Sequence, residues 1–312
     1  MSYAIGDKYA SLVSEWSQAI TQYAPTWSQF AELVTDQGST SLQRFADTPV
    51  AALQSWAGGD TEITKVPYGS THEQTVALGG QGSRIVLDNI DVRMDSGLVE
   101  RKAAELLNAT QMTIESAVYS LLESTFTATI PSGESGGTTA ICSDTHYYDA
   151  NGDDATLDSI QSNKLSSALS YDGLSSAFEL GMRWKNSMGS PMGLFRGPST
   201  LVVSPKNRAV AAKLCDSAEL LASGTSTSGA VFMGNKNPNQ GLGYVVSSHL
   251  TADDDDWWLL DNTAAPIKVW VPFTPSISIT ENTSAQTVLT CSVWLKAFCD
   301  APPNGIIGAN VA

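Results

Sequence analysis

Hydrophobic positions recur at helical spacing in four stretches of the chain and at strand spacing in many shorter ones. The longest helical stretch, residues 98–125, contains neither Gly nor Pro. Val99, Ala103, Leu106, Leu107, Ile114, Ala117, Val118, Leu121 and Leu122 line one face, and Glu100, Arg101, Glu105, Asn108, Gln111 and Glu115 fall mainly elsewhere. Ser96 is placed to cap its free N–H groups. About 28 residues at helical rise make a rod about 42 Å long, a structural spine. Residues 1–35 read as a helical arm. Tyr9, Leu12, Val13, Trp16, Ile20 and Tyr23 share a face, Pro25 interrupts, and a short turn runs from Trp27 to Val34. So many aromatics on so short a piece need a partner surface, on the same chain or on a neighbouring copy. Helical signals return over residues 157–185, with Leu174, Phe178 and Met182 at i, i+4 and i+8, and over residues 206–221.

Between arm and spine the pattern changes. Gly58-Gly59 and Gly79-Gly80, with Gly69 and Gly82, punctuate β-rich pieces at residues 62–68, 73–78 and 84–92. Ile63 and Thr64 alternate as in a half-exposed strand. There is too little apolar material for a separate core, so residues 36–95 read as a long two-stranded excursion that must lean on something else. Residues 131–160 are a Gly- and Asp-rich loop. Strands follow at residues 200–203, 243–247, 257–261, 267–273 and 287–298, after which Pro302-Pro303-Asn304-Gly305 turns the tail outward. Strands and helices interleave without a repeating βαβ unit, so the class is α+β.

Composition narrows the function. The chain has 312 residues, 42% of them hydrophobic, enough for one large domain or two ordinary ones. Only 16% are charged, against about 25% in an average protein, so much of the surface is uncharged or covered. Seventeen basic residues against thirty-two acidic ones give a net charge of −15. That argues against a nucleic-acid-binding module, which needs a basic face, and against docking on anionic lipid. No run approaches the roughly 18 apolar residues of a membrane span. The opening MSYAIGDKYA shows neither the basic start nor the apolar stretch of a signal peptide.

Candidate chemistry is sparse. Cys142, Cys215, Cys291 and Cys299 form no Cys-x-x-Cys pair, and with only His72, His146 and His249 available no zinc-ligand cluster arises. Cys291 and Cys299 sit on one continuous strand about 27 Å apart, so all four read as buried, reduced thiols. Phosphate-binding glycine loops and a nucleophile elbow are absent. Asp149-Ala150-Asn151-Gly152-Asp153-Asp154 resembles the start of a calcium loop, but its glycine is one position early and Ile160 stands where the bidentate Glu belongs. An Asx-rich turn is the reading. Asp253–Asp256 reads as a solvated turn, and His146 as a packing histidine at a loop junction. No catalytic residue, metal site or cofactor is assigned.

An ordered set of signals runs from Ser143 to Thr274. It comprises Thr145-His146, Ser162-Asn163-Lys164-Leu165-Ser166, Leu169 to Leu174, Gly189-Ser190-Pro191-Met192-Gly193, Leu201-Val202-Val203-Ser204-Pro205, the Ala-rich stretch 209–214, Asn235-Lys236-Asn237-Pro238, Tyr244 to Leu250, and Asp256-Trp257-Trp258-Leu259-Leu260-Asp261. The set resembles the major capsid (major head) subunit of tailed bacteriophages, in particular the Mu-like branch of the HK97-like fold. The resemblance implies a structural subunit that self-assembles into hexamers, pentamers and an icosahedral shell around double-stranded DNA. It implies an N-terminal arm (1–38), an extended β E-loop region (39–95), a peripheral domain with the spine helix (96–155), a central axial domain (156–275) and a return to the peripheral domain (276–312). Implied partners are copies of itself, a portal, and separate scaffold or decoration proteins, with packaged DNA touched only weakly and without specificity. The implied location is the virion, after synthesis in the bacterial host cytoplasm, with no membrane and no cofactor. Some relatives cross-link an E-loop lysine to a neighbour; Lys65 is present, but no surrounding motif marks it.

Aromatic and Arg side chains are the usual anchors of interfaces. The expected contributors are therefore Tyr9, Trp16 and Trp27 in the arm and Trp56, Tyr68, Arg84 and Arg93 in the E-loop region. Two rivals are a tail-tube or sheath subunit, which would lack the spine and form tubes, and a hydrolase using His146.

Overall fold

The spine forms because its apolar face is continuous, and it stops where Ser124, Thr125 and Thr127 turn their hydroxyls back onto the carbonyls of Leu121, Leu122 and Ser124. A computed structural model describes residues 26–35, 41–47, 70–95, 97–131, 138–147, 160–186, 189–217, 219–220, 235–251, 255–273, 275–282 and 286–311. In chain order the elements are β1 (Ala31–Val34), β2 (Ser41–Asp47), β3 (Ser70–Ala77), β4 (Gly79–Asp88), α1 (Asn89–Met94), α2 (Leu98–Glu123), β5 (Thr129–Pro131), β6 (Thr138–Ala140), β7 (His146–Tyr147), β8 (Ile160–Gln161) and β9 (Lys164–Leu165). They continue with α3 (Tyr171–Met182), β10 (Ser199–Val203), α4 (Arg208–Asp216), β11 (Glu219–Leu220), β12 (Asn235–Lys236), β13 (Gly243–Val246), β14 (Trp257–Asp261), β15 (Ile267–Trp270), β16 (Ser276–Asn282), β17 (Gln286–Cys299) and β18 (Ile306–Ala309). Short 3-10 turns at Thr26–Gln29 and Pro205–Asn207 precede β1 and α4.

The chain divides into two units, each assembled from three separate segments. The first takes Met1–Gln43, Thr75–Val118 and Ile267–Phe298; the second takes Arg44–Gln74, Tyr119–Pro266 and Cys299–Ala312.

In the first unit the sheet runs β1-β15-β17-β16, with β4 also paired to β17. Alternate residues of β17 point to opposite faces. Leu289 and Cys291 pack under Ala103 and Leu106 of α2, joined by Ile277 of β16 and flanked by Ile85 and Leu87 of β4. Phe298, of the other parity, joins Trp270 in a second cluster with Leu42 and Val76 from β2 and β3. The excursion therefore leans on the sheet face opposite the helix.

In the second unit the order is β13-β10-β14-β18-β9. Every residue of β10, β14 and β18 is buried. Leu201, Val203, Trp257, Leu259 and Ile307 face α3 and α4 through Leu174, Ala177, Ala211 and Leu214. On the opposite face Trp258 donates its indole N–H to Thr125 Oγ1 at 3.0 Å and stacks on Phe126 at 6.0 Å. A side chain at Gly308, opposite Trp258 in the ladder, would strike Phe126 and Cys142. Glycine is required there because the Phe126 ring and the Cys142 sulfur come down on the strand.

Several expectations change. Residues 31–34 form a strand parallel to β15 rather than a helical turn. The first part of the helix expected over 157–185 is instead the short strands β8 and β9, and the helix starts at Tyr171, capped by Ser170, whose hydroxyl accepts from the Gly173 N–H. The helix expected over 206–221 ends at Asp216. The turn at Pro302–Gly305 does not send the tail outward: it feeds β18 into the middle of the second sheet, with Gly305 at φ +85°. The final segment thus splits, 276–298 lying in the first unit and 299–312 in the second. β4, counted with the E-loop region, belongs to the first unit's main sheet.

Candidate subunit interfaces

Apolar or cationic side chains that stay exposed on rigid elements mark surfaces that could meet another copy. The base of the excursion is one such place. β2 and β3 pair with each other, and residues 48–69 between them lie outside the described residues. In the second unit Arg44 holds Asp300 through two bonds, Nε at 3.1 Å and Nη2 at 2.8 Å, and Gln74 Nε2 donates to the Cys299 carbonyl at 3.0 Å. These contacts tie Arg44 of β2 and Gln74 of β3 to Asp300 and Cys299.

The outer face of the first sheet is the second place. β4 and β17 are antiparallel with Gly80 opposite Trp294, Gly82 opposite Ser292, Arg84 opposite Thr290 and Val86 opposite Val288. β16 continues the face, with Ser278 opposite Thr290 and Ser276 opposite Ser292. Val86 is 48% and Trp294 46% exposed. The Trp294 ring lies directly on Gly80, where a Cβ would come within 2.9 Å of it. At the start of the spine, Ile90 and Met94 of α1 are among the most exposed large apolar side chains described. Asp88 caps α1 by accepting from the Ile90 N–H at 2.9 Å. Asp95 accepts from the Gly97 N–H at 3.1 Å, and the Arg101 guanidinium beside it holds its carboxyl below the usual range.

The expected anchors meet mixed outcomes. Tyr9, Trp16, Trp56 and Tyr68 lie outside the described residues. Trp27 is buried at 6% exposure within its own chain, so its ring is not a free anchor. Arg84 is exposed on the outer sheet face, and Arg93 falls on α1. Trp294 and Lys296 were missed. The sequence shows only that they share one parity of β17; their exposure on the outer face follows from the pairing with β4.

The chemical candidates resolve into structure. His146 is buried and meets Trp184 edge-on at 5.5 Å, while Trp184 donates to Asn304 Oδ1 at 2.8 Å. That is a packing role. The Asp149–Asp154 segment lies outside the described residues, as does the capping position Ser96. Of the acidic run, Asp255 pairs with Lys206 at 2.7 Å, but Asp256 is buried rather than solvated and accepts from the Val311 N–H at 2.7 Å. All four cysteines are buried. Burial pushes the Cys142 thiol up to about 12, and burial with the adjacent Asp216 pushes Cys215 up to about 11. Neither is a nucleophile near neutrality.

A family model described as phage capsid protein matches residues 74–301, from β3 to the end of β17 and just beyond. The chain belongs to that family. As a phage capsid protein it is a structural subunit of the shell, and its α+β architecture is the HK97-like one. The mature capsid of bacteriophage PhiM1 is similar at 12% identity over 93% of this chain and 88% of the other, with a TM-score of 0.56. The capsid of a native GTA particle is similar at 12% identity, over 93% and 91%, with a TM-score of 0.55. A virus-like particle from Pyrococcus furiosus is similar at 11% identity, over 97% and 99%, with a TM-score of 0.50. At such identities the likeness speaks for the fold alone. No curated protein matches the chain.

Proposed function

We propose that this capsid subunit builds hexamers and pentamers that close into a shell around double-stranded DNA, and that it carries no enzymatic activity. The observation that carries the reading is the family match over residues 74–301 together with a capsid fold aligned over 93% of the chain. The first unit corresponds to the peripheral domain with its spine, and the second to the axial domain. Residues 1–38 act as the arm and 39–95 as the E-loop region, so that Tyr9, Trp16, Trp56, Tyr68, Arg84 and Arg93 meet neighbouring copies. A head-to-tail contact repeated by rotation closes into rings.

Acidity supports a lining over which packed DNA slides, since a basic one would hold it at many points. The same charge repels copies from each other, so assembly depends on salt. A portal and separate scaffold or decoration proteins complete the particle, whose subunit is made in the bacterial host cytoplasm. The test is electron microscopy of the purified full chain in negative stain, at low and high salt. Capsomers or closed shells are expected; tubes, or monodisperse single copies under every condition, would overturn the reading. Removal of residues 1–35 with normal closed shells still formed would remove the arm from it.

A further inference from the structure

We infer that the outer face of the first unit's sheet, along the line Arg84–Trp294–Lys296, receives a carboxylate-bearing segment of a second copy of this chain. The inference rests on the shell reading above and adds the surface and its chemistry. Arg84 stands opposite Thr290, and Trp294 and Lys296 follow on β17 at the same parity. The stripe from Thr290 to Lys296 is therefore about 20 Å long by strand rise, with the indole between the two cations.

Three observations single it out. Of the cations in this unit whose side chains are described, Arg101, Lys102 and Lys268 sit on Asp95, Glu105 and Glu32. Arg84 and Lys296 are both exposed and lack a carboxylate among the described residues, in a chain with almost two acidic residues for each basic one. Next, Trp294 is held flat on Gly80, so one ring face is fixed while 46% of the residue stays exposed. An exposed indole already ordered on a glycine loses little freedom when a partner covers it. Finally, the positions beside the stripe, Gly82, Ser278 and Ser292, are small and uncharged, so another backbone can approach closely.

The occupant follows from charge. A chain of net charge −15, with thirty-two acidic residues against seventeen basic ones, has carboxylates in excess, so another copy is complementary to a basic stripe. The face is also continuous with the one on which β2 and β3 lean through Trp270 and Phe298. Duplex DNA fits less well, because two cations about 20 Å apart neutralise too few phosphates to hold it.

The test uses the full chain and three variants: Arg84→Glu with Lys296→Glu, Arg84→Gln with Lys296→Gln, and Trp294→Ala. Sedimentation reads the concentration needed for assembly, and thermal unfolding reads the fold. The charge reversal and the indole truncation should each raise that concentration about tenfold or more with the unfolding midpoint unchanged. The glutamine pair should raise it less and flatten its salt dependence. If the reversal does not fold, the glutamine pair and Trp294→Ala decide. Assembly of both at the wild-type concentration overturns the inference. So does normal assembly with loss of binding to a short DNA duplex, which would assign the face to DNA. Failure of the wild-type chain to assemble at all counts against the shell reading instead.

Discussion

Asn163 offers the sharpest internal test, because one buried residue joins three segments of the second unit, one of them through its side chain. It is fully buried. Its Oδ1 accepts from the Ser143 N–H and its Nδ2 donates to the Ile141 carbonyl, both at 2.8 Å. Its own carbonyl accepts from the Gly308 N–H of β18 at 2.9 Å. Asn163→Ala strands one backbone donor and one acceptor, each costing about 1–3 kcal/mol when left unsatisfied. The expected loss is about 2–6 kcal/mol, a large part of the roughly 5–15 kcal/mol that holds a domain together. Urea unfolding followed by near-UV circular dichroism measures it.

Asn163→Asp separates hydrogen bonding from packing. Its carboxylate still accepts from Ser143 but faces the Ile141 carbonyl with no proton to give. Burial raises the folded-state value of that acid above the unfolded one of about 3.9. The deficit against wild type is then smallest below about pH 4, where the neutral acid can donate. It widens by about 1.4 kcal/mol per unit as pH rises through the window between the two values. An alanine variant within about 0.5 kcal/mol of wild type, the range of ordinary surface changes, would refute the clamp. A pH-independent aspartate deficit would refute the donor role.

A Cβ at Gly181 would collide with the edge of the Phe195 ring, and the Phe195 backbone is held at φ +58° by the Asp261 carboxylate accepting its N–H. Gly181→Ala should therefore cost about 1–3 kcal/mol, read by thermal unfolding. Trp258→Phe should lose the bond to Thr125, about 1 kcal/mol, whereas Trp258→Ala should lose about 3–5 kcal/mol in the same assay. Cys142 and Cys215, raised to about 12 and about 11, should resist a thiol reagent at pH 8 in the native chain and react on unfolding. Both folded-state values exceed the ordinary thiol value of about 8.5. The stability they contribute is thus complete below that pH and falls as pH climbs toward them, which unfolding at pH 8 and pH 10 would show.

The elements legible in the sequence were those whose pattern and packing agree. The spine was expected at 98–125 and forms over Leu98–Glu123, and Trp257–Asp261 forms at the expected bounds, because each has one uninterrupted apolar pattern. β8 and β9 were read as helix because Ile160 and Leu165 sit at no strand period; what extends them is pairing with β7 and β18 around the Asn163 clamp, a long-range cause. β18 was hidden for a related reason. Ile306-Ile307-Gly308-Ala309 is short and holds a glycine, and only Phe126 and Cys142 pressing on it explain that glycine. Of the candidate interface, Arg84 was found from residue type, while Trp294 and Lys296 emerge only once β17 is paired with β4 and its outer parity is exposed.

This contrast bears on what a fold likeness at 12% identity can carry over. The fold survives such divergence because it is held by a pattern of apolar faces and a few buried polar fasteners, here Asn163, Asp261 and Asn237, whose Nδ2 ties the Leu214 and Ser217 carbonyls together. Many sequences satisfy that pattern. A surface between copies is satisfied differently, by pairs of patches that need only suit each other, so both sides of a contact can change together while the fold stays put. A stripe such as Arg84–Trp294–Lys296 is therefore a property of this chain and its own copies rather than of the fold. Its electrostatic half has a consequence that the fold cannot supply. A mixture of wild-type chain with a capsid protein of the same fold but a neutral outer sheet face should sort into separate particles at low salt, and sort less sharply as salt screens the difference.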